Sequence, residues 1–435
     1  MFPYFSSHIR CNFEIAEKQF TLAKTKPIVK HSALTLSTHD LRKIVTATKV
    51  HLVLTYVDAQ NASNSMIARI SMIYLLTTFN RAVHALFPLV IKYNETEAKI
   101  LFNLTAAAYS TDPSRCVVNT LPKWQKWLVY SIANTNCDAF QNSCSSYIIR
   151  SDVLKEIIVV FRGTTTTKQL IMEGWQSMRS NFDFFGIGSV NRYFSQALDA
   201  FWPNIEPLLK DSVFKSYGVT FTGHSLGGAI ASLAATRTVI QNLRTGDKIK
   251  LVSFGQPRTG DYQFAMYHNA HIPSRICKQL PKQKQFSSFR LVHRLDLVPH
   301  LPPCKKNKSY SNANKSKPCL TGNNGSPYHH GTEIWYPYGM NKGAKYYECL
   351  GKPRGEDFSC SDGLSFNFSH YKIYVRDHRH YFNVDLSSYG KRGCTHTINT
   401  SLATASTSAP ETMNLIQMIK LHINSVINFF KKDHK

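Results

Sequence analysis

Val219-Thr220-Phe221-Thr222-Gly223-His224-Ser225-Leu226-Gly227-Gly228 decides how this 435-residue chain is read. The β-branched and aromatic residues on its left describe a short buried strand. Ala229-Ile230-Ala231-Ser232-Leu233-Ala234-Ala235 on its right describes a helix. A serine at that junction, with a glycine two residues away on each side, has a mechanical meaning. It sits on a sharp turn that lifts its hydroxyl above the sheet, and only small neighbours fit the turn. Gly228 then lets the helix approach the strand closely. The five-letter pattern alone is a weak signal, and the strand-to-helix context gives it weight. The plainer alternative is a tight turn with an incidental serine. It is the poorer reading, because a serine held there adds little to packing.

Working outward, Tyr217–Thr222 is the strand that runs into the helical pattern Leu226–Leu243. Lys250–Phe254 reads as another buried strand, closed by Gly255-Gln256-Pro257, and Phe289–His293 as a further one. Upstream, Ser146–Arg150 and Glu156–Phe161 read as a strand pair joined by Ser151–Lys155. Strands alternating with helices of this length predict an α/β fold of the α/β-hydrolase kind. Its central sheet is mostly parallel, made mixed by the hairpin, and flanked by helices.

A nucleophilic serine needs a base and an acid that orients the base. Behind a strand–elbow–helix unit the chain order is serine, acid, histidine. Asp296 lies just past a strand, where loops at the carboxyl edge of a sheet converge. Asp261 is a rival, better read as the cap of the helix that follows it. Asp296 also has a plain reading, a turn residue bonded to its own loop. For the base, the run Asp377-His378-Arg379-His380-Tyr381-Phe382 puts His378 first and separates it poorly from His380. His329 and His330 are more distant candidates among 18 histidines.

The oxyanion that develops during acyl transfer needs two preorganised N–H donors. Leu226, directly after the serine, offers one. Thr164, following Val159-Val160-Phe161-Arg162-Gly163, offers the other; its alternative is the cap of an ordinary strand-to-loop turn. Beyond it, Leu170, Ile171 and Trp175 fall in a short apolar stretch. That stretch reads equally as a lid over the site and as a core-packed helix.

The formal net charge of +25 suits nucleic acid, acidic polymers or an anionic membrane surface. No zinc-finger spacing, RNA-binding signature or basic heptad region accompanies it, so nucleic acid is not an expected partner. The lysines cluster in 278–317, a solvated loop surface first and an attraction to anionic lipid second. Ten cysteines show neither a Cys-x-x-Cys pair nor a metal-like Cys/His spacing. Nine of them, from Cys116 to Cys394, fit a disulfide framework of an oxidising, secreted or lumenal compartment. Sequons at Asn94, Asn103, Asn307, Asn314, Asn324, Asn367 and Asn399 agree. No metal or cofactor is expected.

Three segments follow. Residues 1–90 form an N-terminal extension, in which 66–85 resembles an internal signal segment or else an N-terminal helix packed on the domain. Residues 91–400 form the catalytic domain. Residues 401–435 carry a Ser/Thr-rich linker and a stretch, Met413–Phe430, of amphipathic spacing; docking on the domain and contact with a membrane surface are both open for it.

The motifs together resemble the class 3 lipases, a family first described in fungi and present as secreted proteins in animals such as nematodes. The carrying residues are Phe161-Arg-Gly-Thr164, Thr222-Gly-His-Ser225-Leu-Gly-Gly228, Phe254-Gly-Gln-Pro-Arg-Thr-Gly-Asp261, Asp296-Leu-Val-Pro-His-Leu-Pro-Pro303 and Asp377-His378-x-His380-Tyr-Phe382. They occur in family order across roughly residues 100 to 394. The resemblance implies Ser225 as nucleophile, Asp296 as acid and, since the family uses the histidine directly after Asp377, His378 as base. It implies Thr164 and Leu226 as the oxyanion hole and the stretch after Thr164 as a lid. The implied activity is hydrolysis of triacylglycerol or related acylglycerol esters at an interface. Phospholipase A1-like or general carboxylesterase activity is the alternative, and a catalytically silent lipid-binding protein is the reading from another class. Implied cysteine pairs are Cys116–Cys394, Cys137–Cys144 and Cys349–Cys360. Cys304–Cys319 is expected to close the basic loop, leaving Cys11 and Cys277 unassigned. Three departures bear on substrate. The insertion 304–346 is long and basic, His293 stands where the family more often has Asn, and the lid stretch lacks the acid common after its tryptophan.

Overall fold

The computed structural model describes residues 89–90, 93–136, 143–163, 181–272, 275–276, 288–310, 317–322 and 325–395. The signal-like segment 66–85, Thr164 with the lid stretch that follows it, and the C-terminal linker and amphipathic stretch lie outside these residues. So do Cys11, Cys137 and Cys277.

Eight strands form the central sheet: β1 Trp127–Asn136, β2 Ser143–Ser151, β3 Glu156–Phe161, β4 Gly218–His224, β5 Ile249–Phe254, β6 Ser288–His293, β7 Thr332–Tyr336 and β8 Tyr347–Cys349. Their spatial order is their chain order. β1, β2 and β3 pair antiparallel; β3 through β7 run parallel; β8 returns antiparallel. The sheet is therefore mixed and mostly parallel, as the hairpin at β2–β3 predicts. Register places Phe161 opposite Gly223, and Gly223 opposite Ser253. The carboxyl ends of three strands thus meet at the elbow.

The helices are α1 Glu95–Ala107, α2 Ser114–Thr120, α3 Arg192–Lys210, α4 Leu226–Ile240, α5 Tyr262–His271, α6 Tyr371–Arg379 and α7 Leu386–Lys391. Successive strand residues point to opposite faces. Val219 and Phe221 of β4 join Ile157, Val159 and Phe161 in one apolar cluster with α3 and α4. The opposite face of β4 meets α1, where Thr105 and Thr222 share a hydroxyl–hydroxyl bond of 3.0 Å. Phe102 of the same helix packs edge-on to Phe254, 5.5 Å between centroids. α4 is buried all round from Leu226 to Thr236, as a helix between a sheet and another helix must be. Each fully buried Leu, Phe or Ile in this core contributes about 1.5–3 kcal/mol.

Three disulfides close among the described residues: Cys116–Cys394, Cys304–Cys319 and Cys349–Cys360. Cys144 is also disulfide-bonded, and the expected partner Cys137 lies outside the described residues. Two groups with metal-like proximity, Cys304–Cys319–Asp362 and Glu333–Cys349–Cys360, each contain a closed disulfide and so offer no thiolate. Among the described residues no helix is long and apolar enough to cross a membrane.

Candidate active site

β4 ends at His224 and α4 begins at Leu226, so Ser225 alone makes the turn. Its backbone is left-handed in φ, at 59°, with ψ at −127°. A non-glycine residue there stores strain of about 1–3 kcal/mol. Local bonds hold it: the Ser225 N–H donates to Phe254 O at 2.9 Å, and Ser225 O accepts from the Gly228 N–H at 2.9 Å. The flanking glycines are required by contact distance. A Cβ on Gly223 would lie 2.3 Å from the Gly227 backbone, and one on Gly227 would lie 2.2 Å from Phe161 O. The Ser225 hydroxyl is buried and has no hydrogen-bond partner among the described residues.

Asp296 and His378, 82 residues apart in sequence, meet in the interior. His378 Nδ1 donates to both Asp296 oxygens, at 2.9 and 3.0 Å. Asp296 follows β6 and is fully buried; His378 sits in the last turn of α6. Burial by itself would raise the Asp296 carboxyl. His378, together with the Tyr381 hydroxyl donating at 2.7 Å, outweighs it and holds the group below the ordinary carboxylate range. The Val298 N–H donates to Asp296 Oδ1 at 2.9 Å, so the acid is fixed from both sides. Asp377 ties the same two elements together: its carboxylate accepts from the Leu295 N–H at 3.3 Å and its carbonyl from His293 Nδ1 at 3.1 Å.

Gly255, at the end of β5, has φ +55° and faces the pair directly. A Cβ there would stand 2.7 Å from Asp296 Oδ2 and 2.9 Å from His378 Nδ1. Leu226 is buried and opens α4, so its N–H has no acceptor within the helix. Gly163, leaving β3, touches the elbow: a Cβ on it would lie 2.6 Å from His224 O and 3.1 Å from Ser225 Cβ. Thr164, Leu170, Ile171 and Trp175 lie outside the described residues.

The competing residues are elsewhere. Asp261 caps α5, accepting from the Phe264 N–H at 2.9 Å. His380 Nδ1 donates back to Arg376 O of the helix it follows. His329 Nε2 donates to Pro299 O at 2.6 Å, and His330 lies against Gln256. Tyr381, Gly255, Tyr109 and His224 were not anticipated as parts of the site. Tyr381, Gly255 and His224 lie inside the quoted motifs, so proximity in sequence was the available signal; nothing in the sequence distinguishes Tyr109.

A buried imidazole–carboxylate pair beside a strained serine can carry out acyl transfer. Residues 158–306 match the family described as lipase, class 3. A lipase of Caenorhabditis elegans is 42% identical over 306 residues, covering 70% of this chain and 83% of that protein. The chain belongs to the class 3 lipase family. A secreted mono- and diacylglycerol lipase of Fusarium solani is 27% identical over 198 residues, 44% of this chain and 52% of the relative. The crystal structure of a lipase from Rhizopus microsporus var. chinensis shares the fold. It has a TM-score of 0.50 at 22% identity and covers 69% of this chain and 94% of that one.

Proposed function

We propose that this class 3 lipase hydrolyses acylglycerol esters, with Ser225 as nucleophile, His378 as general base and Asp296 as the acid that orients it. The observation that carries this reading is the buried His378–Asp296 pair of 2.9 and 3.0 Å, joined through Gly255 and the β5 end to the serine elbow. Ser225 Oγ attacks the ester carbonyl carbon while His378 Nε2 takes its proton. The Leu226 N–H and Thr164 receive the oxyanion. Collapse expels the alcohol, which takes the proton back from His378 and leaves an acyl-serine. A water deprotonated by His378 then releases the fatty acid. Asp296, kept ionised, holds the Nδ1–H tautomer and stabilises the imidazolium of each transition state.

The stretch with Leu170, Ile171 and Trp175 serves as a lid that opens on a lipid surface. The net charge of +25 favours a surface bearing anionic lipid. Disulfides at three pairs favour secretion into an oxidising compartment. The test is Ser225→Ala against a panel of emulsified triacylglycerols, diacylglycerol, phosphatidylcholine and dispersed p-nitrophenyl esters. The wild type turns over the acylglycerols and is labelled by a fluorophosphonate; Ser225→Ala does neither while keeping its circular dichroism spectrum. Retained turnover in Ser225→Ala overturns the nucleophile, and a wild type active only on phosphatidylcholine overturns the substrate.

A further inference from the structure

Tyr109 and His224 have no part in the chemistry above, yet both are buried beside it. Their hydrogen bonds have a fixed polarity. His224 Nε2 lies 2.7 Å from the carbonyl oxygen of His378. A carbonyl only accepts, so Nε2 carries the proton. Burial, then the neighbouring His378, push the His224 imidazole down to about 3. At neutral pH it is uncharged, and Nδ1 holds a lone pair. Tyr109 Oη lies 3.2 Å from that Nδ1, so the phenol donates to it. The Gly163 backbone lies against the same hydroxyl: a Cβ on Gly163 would stand 2.7 Å from Tyr109 Oη. One run of bonds therefore goes from the Tyr109 hydroxyl through the His224 ring to the backbone carbonyl of His378. It starts against Gly163, where the chain leaves β3, and ends on the base. The His224 and His378 rings also lie face to face, 4.4 Å between centroids and inclined by 33°.

We propose that Tyr109 and His224 are positioning residues that hold the end of β3 at Gly163 and the base histidine in one frame, with His224 fixed as its Nε2–H tautomer. The inference rests on the catalytic reading above. Its physical content is twofold. The relay spans 115 residues from Tyr109 to His224 and 154 from His224 to His378, so it joins three parts of the chain that no local structure would hold in register. Its neutral ring also keeps a second positive charge away from the imidazolium that forms on His378 in each step. Neither the Tyr109 hydroxyl nor the His224 ring is hydrogen-bonded to the Ser225 hydroxyl, so their loss falls on the geometry of the transition state rather than on substrate binding.

Three variants test it. Tyr109→Phe keeps the ring and removes the hydroxyl. His224→Gln keeps an N–H near the position of Nε2, and His224→Leu keeps none. The expected result with a dispersed p-nitrophenyl ester is a kcat for Tyr109→Phe lowered on the order of tenfold to a hundredfold, the scale of a misplaced catalytic group. KM stays within about twofold, the rate of fluorophosphonate inactivation falls in parallel, and Tm changes little. His224→Gln recovers part of what His224→Leu loses. A folded Tyr109→Phe with wild-type kcat overturns the proposal. So does a loss that tracks the fraction of unfolded protein, or a His224→Gln no better than His224→Leu. If His224→Leu does not fold, Tyr109→Phe decides alone. Failure of the catalytic reading itself looks different, because the wild type would then be inert to the fluorophosphonate.

Discussion

Asp296 shows what a single residue needs in order to work in the interior. A carboxylate removed from water is costly unless its oxygens are satisfied. Here His378, Tyr381 and the Val298 N–H supply the donors. Asp296→Asn keeps the shape but favours the wrong histidine tautomer, and kcat is expected to fall on the order of 10⁴-fold with the fold intact. His378→Ala is expected to cost far more activity than His380→Ala, whose ring is bonded back to the preceding helix; kcat/KM on one soluble ester compares them. Gly255→Ala should also lose activity, since its Cβ would lie 2.7 Å from Asp296 Oδ2. A Gly255→Ala enzyme with unchanged kcat would show that the pair tolerates the intrusion. Chain order and local context pointed to Ser225 and Asp296, and order put His378 first without separating it clearly from His380. The demand for a glycine at 255 was not legible, because it arises only when β5 and β6 lie side by side and α6 brings His378 to the end of β5.

At the scale of elements, legibility followed burial. β3 through β6 are buried almost end to end and carry runs of β-branched and aromatic residues, so they announce themselves. β1 has one half-buried face and one exposed face, with Leu128, Tyr130 and Ile132 turned outward, so its alternation carries apolar residues on the wrong side. α3 contains Pro203 and Pro207, which remove helical N–H donors, and its amphipathic face is the competing signal. Phe194, Leu198, Phe201, Ile205 and Leu208 bury that face, and the Asn191 side chain caps its start through the Tyr193 and Phe194 N–H groups. The elbow is the element under most constraint. Gly227→Ala places a methyl group 2.2 Å from Phe161 O, and the backbone cannot yield without separating β3 from α4. The expected cost is about 1–3 kcal/mol or more, read as a fall in the urea midpoint.

Across the whole molecule, histidines set the acid limit. His224, His268, His293, His329 and His330 are all held below the ordinary imidazole range, first by burial. His224 and His268 are pushed down to about 3. The unfolded chain protonates each of them near its ordinary value of about 6.5, so it binds more protons than the folded chain between there and the folded value. Stability is therefore complete above that range and is lost as pH falls through it, by up to about 1.4 kcal/mol per pH unit for each histidine. Glu333 and Asp362, raised by burial, oppose this in part. Tm measured from pH 7.5 to 4.5 should fall steadily; a flat profile would contradict the buried neutral histidines.

The Cys116–Cys394 bond adds a topological consequence. It joins positions 278 residues apart and so turns the catalytic region into a covalent ring. A ring cut once is still one molecule. Trypsin cleavage at Lys282 or Lys284, inside the ring, is expected to leave a single species on a gel without reductant and two fragments with it. An enzyme nicked once in this way could not lose half of its triad to dilution: Ser225 lies on one side of the cut, Asp296 and His378 on the other, and the bridge keeps both halves on one covalent thread.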